Sequence, residues 1–263
     1  MTEFATMLAV TTIAGALTGV GAVPVFLRAR VSHRSYDAAL GLAAGIMIAA
    51  SVFGLILPGM EQGTLAGVMT GVFLGGFVLL GGNRAIPHLH ARYVGWRREG
   101  GSLAATDDDP AIASRARRAL LIGAAIVLHN APEGLAMGVA FASGLEDVAM
   151  LLAVVIGLQN VPDGFAFAVP VGETGISNVR VLVYTTLSGL VPQVAAAVFG
   201  FALVSVATGI FPLAAGFAAG AMMAVVFREM IPSSHGHGYA DASTAAFLVG
   251  FVLLVIVDEL LVI

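Results

Sequence analysis

The sequence contains no cysteine and no lysine, and charged residues of every kind are scarce. The missing cysteine excludes disulfides, thiolate metal sites and covalent thiol catalysis. Charged residues make up 11% of the chain and hydrophobic residues 59%, and the mean hydropathy is +0.97. Because an ordinary soluble domain has about 25% charged residues, a water-soluble fold is excluded. An all-α integral membrane protein is predicted.

Apolar runs of membrane-spanning length divide the chain into eight predicted transmembrane helices. A bilayer core of ~30 Å needs about 20 apolar residues in a helix. The predicted spans are Phe4–Leu27, Ala38–Met60, Thr64–Gly82, Ala116–Ala142, Val148–Val171, Val179–Val206, Phe211–Pro232 and Ala242–Ile263. Residues 1–263 are therefore expected to form a single polytopic transmembrane domain. Its only long connection, 83–115, is expected to be a mobile, solvated loop.

The distribution of arginine predicts how the chain is oriented. With eight spans, all twelve arginines fall on one side of the bilayer, in or beside the connections that follow spans one, three, five and seven. The opposite connections contain Glu61, Glu146 and Asp147 but no arginine. The positive-inside rule then predicts a multi-pass protein of the cell membrane. It places loop 83–115 in the cytoplasm and both termini outside it.

A weak internal repeat relates the second and seventh spans. The pattern Gly-x-x-x-Gly-x-Met begins at Gly41 and again at Gly216, and a Leu-Pro or Ile-Pro pair follows each, at Pro58 and Pro232. Because these spans have opposite predicted directions, an inverted repeat of spans 1–3 and 6–8 is predicted around a central pair of helices, 4 and 5. The alternative is a chance recurrence of small residues, which are frequent in membrane helices.

Spans four and five have matching polar motifs near their centres. The first is His-Asn-Ala-Pro-Glu-Gly from His129, and the second is Gln-Asn-Val-Pro-Asp-Gly from Gln159, thirty residues later. An ionised carboxylate at this depth is costly unless it is compensated, and neither helix has an arginine there. Within each motif the polar residues are three or four positions apart and share a helix face. The six candidate ligands are His129, Asn130, Glu133, Gln159, Asn160 and Asp163.

These residue types predict a site for a divalent metal ion. Two opposed faces of this kind bring one imidazole, two carboxylates and three amide oxygens around a small volume. Imidazole with carboxylate suits zinc and other first-row ions, whereas calcium prefers oxygen alone. A lone polar residue in a membrane helix is often only an interhelical hydrogen bond. Six in duplicated spacing favour a metal site.

The motifs also contain residues that shape the helices. Pro132 and Pro162 cannot donate the usual backbone hydrogen bond, so proline-kinked helices with freed carbonyl oxygens at the site are predicted. Gly134 and Gly164 are expected to allow a close approach of neighbouring backbone.

The sequence resembles the bacterial members of the ZIP family of divalent metal transporters. The resemblance rests on the eight spans, the long connection after span three and the complete His-Asn-x-Pro-Glu-Gly pattern that begins at His129. The resemblance covers nearly the whole chain. It implies a carrier that moves zinc into the cytoplasm, with cadmium, iron(II), manganese and cobalt(II) as further possible cargoes. It also implies an elevator-like sliding of spans one, four, five and six against the others, and a homodimer. No resident cofactor and no nucleic-acid partner are expected.

The resemblance further implies a binuclear metal centre at mid-membrane. One metal would be bound by His129, Glu133, Gln159 and Asp163, with the thioether of Met47 added. The second would be bound by Asn130, Glu133, Asn160 and Asp163. For Met47 the alternative is an ordinary packing or lipid-facing role.

One departure from the family pattern concerns span six. Relatives commonly have a glutamate there, where this chain has Pro192 and Gln193. Gln193 can lend an oxygen but no charge, so the second metal site is expected to be weakened or lost.

An intramembrane metal-dependent enzyme is the main alternative function. The sequence has no His-Glu-x-x-His motif and no Walker motif, so a carrier that ATP does not drive is favoured. Two His-x-His pairs, at His88 and His235, are expected to bind metal only transiently. Glu229 is either an acid on the metal exit route or the partner of Arg228 at the membrane interface.

Overall fold

The computed structural model describes residues 2–26, 32–99, 128–172 and 175–261. Within these ranges the chain is helical apart from short connections, and no strand occurs. The eight helices of the described ranges are α1 (Glu3–Phe26), α2 (His33–Glu61), α3 (Leu65–Glu99), α4 (128–142), α5 (Glu146–Gly172), α6 (Asn178–Val206), α7 (Phe211–Ser234) and α8 (Ala240–Leu261). The predicted all-α class is confirmed.

Seven of the described helices are long and apolar enough to cross a membrane. The eighth is α4, for which the predicted residues 116–127 lie outside the described ranges. Large apolar side chains are exposed on the outer helices, among them Phe73, Phe77, Phe199 and Leu248. An apolar surface of this kind would promote aggregation in water, but it is the surface expected of a protein in lipid.

Helix α3 extends further than the sequence predicted. Its apolar part, Leu65–Gly82, matches the third predicted span, but the helix continues to Glu99. The first part of the predicted connection 83–115 is therefore helix rather than irregular loop. Alanine, leucine and arginine in this stretch favour helix although the hydropathy has fallen. Residues 100–115 lie outside the described ranges.

A polar cap sets the start of α2. The Ser32 hydroxyl accepts a hydrogen bond from the Ser35 N–H at 3.1 Å, which satisfies a donor that the first helical turn leaves without a partner. Helix α2 therefore begins at His33, ahead of the predicted Ala38.

Small residues bring the helices into close pairs. The most extensive contacts pair α3 with α7 and α2 with α8. Gly41 and Gly45 of α2 lie against the backbone of α8, and Gly216 and Gly220 of α7 lie against the backbone of α3. Helices α2, α5 and α7 are the most buried of the seven apolar helices, and α3 and α8 are the least buried. The interior of the described chain thus lies where α2, α5 and α7 meet.

Helices α2 and α7 share a local irregularity. Each contains a π-helical segment, Ala50–Ile56 in α2 and Val226–Met230 in α7. Each segment ends two positions before a proline, Pro58 or Pro232. A proline lacks the N–H that would donate back along the helix, and a wider turn is one way to accommodate the loss.

Candidate metal centre

The six candidate ligands from the paired motifs come together between α4 and α5, inside the helix bundle. All six residues are buried, and the largest exposed fraction of any of them is 7%. They are His129, Asn130 and Glu133 of α4, and Gln159, Asn160 and Asp163 of α5. Burial of this many polar groups among apolar helices is costly unless they have partners.

Three of these residues have the spacing of a metal site. Donor atoms of His129, Glu133 and Asp163 all lie within 4.8 Å of one another. His129 Nε2 is 3.3 Å from Asp163 Oδ2 and 3.8 Å from Glu133 Oε1. Ligands of a tetrahedral zinc ion, at about 2.0–2.1 Å from the metal, are separated by about 3.3–3.4 Å. The separation of His129 and Asp163 is therefore that of two zinc ligands, whereas the Glu133 oxygen lies farther from His129 than two ligands of one zinc ion do.

An amide holds one oxygen of the Glu133 carboxylate. Gln159 Nε2 donates a hydrogen bond to Glu133 Oε1 at 2.5 Å. The second oxygen, Oε2, is buried and has no hydrogen-bond partner, and the same is true of Gln159 Oε1 and Asp163 Oδ2. A buried acceptor without a partner costs about 1–3 kcal/mol. A divalent cation would satisfy all three oxygens at once, so the residues present fit a bound metal.

Asn160 is oriented by two hydrogen bonds. Its Nδ2 donates to the Ala14 carbonyl of α1 and to Gln193 Oε1 of α6, each at 2.8 Å. Both amide hydrogens are therefore used, and Asn160 Oδ1 is left buried without a hydrogen bond. Gln193 is fully buried, and its Nε2 lies 3.5 Å from the sulfur of Met137. The Gln193 oxygen that was expected to be available for a second metal is engaged by Asn160.

Met47 is fully buried in α2. A lipid-facing role is thereby excluded, while a packing role and a ligand role both remain compatible with burial. Its carbonyl oxygen accepts a hydrogen bond from the Ser51 hydroxyl at 2.8 Å.

The two motif glycines allow close backbone approach, as the sequence predicted. A Cβ at Gly134 would collide with the Gln193 carbonyl of α6, and a Cβ at Gly164 would collide with the Thr18 carbonyl of α1. These contacts place α6 and α1 directly against the helices that hold the ligands. The predicted kinks at Pro132 and Pro162 stay predictions.

A cavity of about 120 Å³ adjoins the metal ligands. It lies among α2, α4, α5 and α7, and its lining residues are Tyr36, Leu40, His129, Asn130, Asp163, Ala166, Phe167, Glu229, Met230 and Ser233. Glu229 therefore faces the same space as the candidate centre, as expected of an acid on a metal route. Sequence reasoning missed Tyr36, since a tyrosine at the start of an apolar run is also typical of a membrane interface.

The apolar outer surface and the buried imidazole–carboxylate cluster define a helical membrane protein with a candidate metal site at its centre. Comparison with known proteins agrees with this class. The family model described as "ZIP Zinc transporter" matches residues 82–258, and the chain belongs to this family.

Three relatives illustrate how far the similarity extends. Zinc transporter GufA of Myxococcus xanthus is 34% identical over 255 residues, which cover 94% of this chain and 95% of the relative. Zinc transporter ZIPB of Bordetella bronchiseptica is 36% identical over 260 residues, covering 94% and 78%. Human zinc transporter ZIP11 is 31% identical over 319 residues, covering 92% and 93%. The resemblance seen in the sequence is thus confirmed, and the chain is a multi-pass membrane protein rather than an enzyme.

Proposed function

We propose that this protein transports divalent metal ions, with zinc as its principal cargo, through the cluster of His129, Glu133 and Asp163. The observation that carries the proposal is the close spacing of these three donors inside an apolar bundle. The relatives are named zinc transporters. Cadmium, iron(II), manganese and cobalt(II) use similar donors, and ligand affinity alone does not determine which ion is carried.

The ligands of the transported ion follow from the geometry of the centre. His129 Nε2 provides the imidazole, and Asp163 and Glu133 provide carboxylate oxygens. Oε1 of Glu133 lies 3.8 Å from His129 Nε2, and Oε2 is the oxygen that has no hydrogen-bond partner. Gln159 steadies Glu133 through its amide hydrogen, and its own Oε1 is a further neutral ligand. Met47 of α2 is proposed as a further ligand on the resemblance to the ZIP family, and its burial is compatible with that role.

A single-ion cycle is favoured over a binuclear one. Glu133 and Asp163 together contribute two negative charges, which balance one divalent cation. A second cation would leave an excess of two positive charges in an apolar interior, where uncompensated charge is expensive. Pro192 stands at or near the position of the family's glutamate, and the neighbouring Gln193 is neutral and already accepts a hydrogen bond from Asn160. Asn130 and Asn160 then support the centre without a second ion.

The cavity is proposed as the route between the metal centre and the cytoplasm. Its lining includes Tyr36 near the start of α2 and Ser233 near the end of α7. Arg34 and Arg228 lie at the same helix ends, which the positive-inside rule assigns to the cytoplasm. In this proposed orientation both termini lie outside the cytoplasm. Uptake is proposed as the direction of transport because the resemblance to the ZIP family implies it, with Glu229 as a carboxylate on the way out of the centre.

An inverted repeat and a sliding motion are part of the same proposal. In the proposed repeat, α1 corresponds to α6, α2 to α7 and α3 to α8. The pair α2–α8 then corresponds to the pair α7–α3. Those are the two most extensive pairs, and the two π-helical segments correspond as well. Helices α1, α4, α5 and α6 pack on one another through Gly134 and Gly164, which supports a moving unit that contains the ligands.

The test is zinc and cadmium uptake into proteoliposomes by the unaltered protein and by the variants His129→Ala and Glu133→Ala. Saturable uptake that both substitutions abolish is expected, because each removes a donor of the ion. His235→Ala and Glu61→Ala are matched controls, since both residues are exposed and lie outside the cluster. These controls are expected to transport normally.

The other outcomes of this experiment have distinct meanings. Uptake that persists in both His129→Ala and Glu133→Ala would mean that the motifs are structural and that the ion path lies elsewhere. Absence of uptake by the unaltered protein for either metal would contradict the transport proposal itself.

A further inference from the structure

A second group of polar side chains lies where the connection between α7 and α8 meets the start of α2. The sequence suggested that His235 and His237 act as a pair, but the structure separates them. His235 Nδ1 lies 2.9 Å from the Ile231 carbonyl and 3.0 Å from the Ser234 hydroxyl, at the end of its own helix. His237 instead contacts residues of α2.

The contact of His237 is a close pair with a buried carboxylate. His237 Nδ1 lies 2.7 Å from Asp37 Oδ1, and Asp37 is fully buried. Because a carboxylate oxygen accepts, a neutral His237 ring donates to Asp37 from Nδ1 and has its lone pair on Nε2. Histidines that bind metals typically donate their other ring N–H to a carboxylate in this way, which fixes the tautomer and raises ligand basicity.

A second imidazole lies beside the first. The rings of His33 and His237 are stacked, with centroids 4.5 Å apart and an angle of 14° between their planes. The side chain of His237 is 37% exposed, and His33 is exposed on the first turn of α2. The lone pairs of stacked rings lie in nearly parallel planes, so His33 has to rotate out of the stack to direct one of its nitrogens at the point that Nε2 of His237 faces; its exposure leaves room for that rotation.

This group is connected to the central cavity through Tyr36. The Tyr36 ring meets the His237 ring edge-on, with centroids 5.5 Å apart, and Tyr36 also lines the cavity together with His129 and Asp163. The two histidines thus lie beside the wall of the cavity that leads to the candidate metal centre.

We propose that His33 and His237 form a separate binding site for a first-row divalent metal ion. Nε2 of His237 and a ring nitrogen of His33 are the protein ligands, Asp37 is a positioning residue that holds the His237 tautomer, and water completes the coordination. The buried second oxygen of Asp37, which has no hydrogen-bond partner, adds negative potential that favours a cation. The site lies beside the cavity wall at Tyr36, and its existence does not depend on transport.

The test uses cobalt(II) as the probe, because its visible absorption reports coordination by nitrogen. The full chain with His129→Ala, Glu133→Ala and Asp163→Ala is purified in detergent and titrated. One bound cobalt per chain is expected. Adding His237→Ala or His33→Ala is expected to weaken that binding at least tenfold, and Asp37→Asn is expected to weaken it about 10- to 100-fold. His235→Ala, on the same connection, is the matched control and is expected to change nothing.

Three results would overturn the inference. The first is that the chain with the triple substitution elutes as a monodisperse species but does not bind cobalt. The second is cobalt binding that survives His33→Ala and His237→Ala together, and the third is cobalt binding that His235→Ala abolishes. If the triple substitution prevents folding, the unaltered chain and the single variant His237→Ala are titrated with cobalt instead. The proposal then requires that His237→Ala bind one cobalt per chain fewer than the unaltered protein, and an equal number would contradict it. Uptake by the unaltered protein is measured separately, so failure of this site is distinguishable from failure of the transport proposal.

Discussion

At the scale of single residues, the candidate centre depends on amides as much as on charged groups. Gln159 holds one oxygen of Glu133, and Gln193 takes up one of the two Asn160 hydrogens. In both pairs the amide donor determines where a neighbouring oxygen points. The amide hydrogen bonds therefore orient the oxygen atoms of the candidate centre, although the amides add no charge.

Substitution of Gln193 separates orientation from charge. Gln193→Met removes the acceptor of one Asn160 hydrogen bond, which contributes about 1 kcal/mol. The KM for zinc uptake is therefore expected to rise about fivefold, with little change in the maximal rate. Gln193→Glu keeps the acceptor and adds a charge. It is expected to restore the KM and to raise bound zinc from one to two ions per chain, measured by elemental analysis of the purified protein.

Gln62→Glu is the control for this experiment, because it adds the same charge at an exposed position. It is expected to leave the zinc content at one. A single zinc in Gln193→Glu, or two in the unaltered protein, would contradict the role assigned to the neutral amide.

The residues of the central cluster were predictable from sequence because each motif lies within two turns of one helix. Spacing of three and four positions is sufficient to place such residues on one face. Asp37 and His237 are 200 positions apart, and no local pattern relates them. The same holds for the Asn160 contacts with Ala14 and Gln193, which depend on how three helices pack.

At the scale of helices, close backbone contacts decide where the ligands lie. Gly134 follows Glu133 directly, and a methyl group there would meet the Gln193 carbonyl. Gly134→Ala is expected to destabilise the protein by about 1–3 kcal/mol, the usual cost of overpacking, and to reduce uptake because Glu133 is displaced with the backbone. Thermal unfolding in detergent and uptake in proteoliposomes measure the two effects.

Gly81→Ala is the matched comparison, since a Cβ at Gly81 meets nothing within 4 Å. It is expected to be neutral or slightly stabilising, because alanine favours helix over glycine. Equal stability and activity of Gly134→Ala and Gly81→Ala would show that the α4–α6 contact does not position the centre.

Helix existence was more predictable than helix ends. Hydropathy located the apolar part of α3 to within a residue or two, but it carries no information on how far a helix continues into the aqueous phase, so the extension to Glu99 was not foreseen. The π-helical segments of α2 and α7 were equally hidden. Their only sequence signal was the recurrence of Pro58 and Pro232.

At the scale of the whole molecule, composition predicted an integral membrane protein, and the paired motifs predicted a polar cluster in its interior. The described helices have an apolar outer surface and this buried cluster, and the two least buried of the seven apolar helices, α3 and α8, each cover a more buried neighbour. Which helices pair was beyond the sequence, because small residues recur in nearly every span and can mediate any of several contacts.

Acidification is expected to weaken zinc binding by the whole protein. The ion requires His129 unprotonated and Glu133 and Asp163 ionised, so protons compete with the metal for the same atoms and metal binding releases protons. Zinc affinity measured between about pH 7.5 and 5.5 by competition with a fluorescent chelator should therefore fall as the pH falls. An affinity that is constant over this interval would mean that these side chains do not bind the ion directly.

The close contacts of Gly134 with α6 and of Gly164 with α1 have a mechanical consequence. At these points main chain rests on main chain, without the side chains that elsewhere act as adjustable spacers between helices. Backbone atoms are displaced far less easily than side chains that can change rotamer. A change in bilayer thickness is therefore expected to move α1, α4, α5 and α6 together rather than to change the distances between them. In the proposed transport cycle, the distances between the candidate ligands would thereby be insulated from changes in the surrounding lipid.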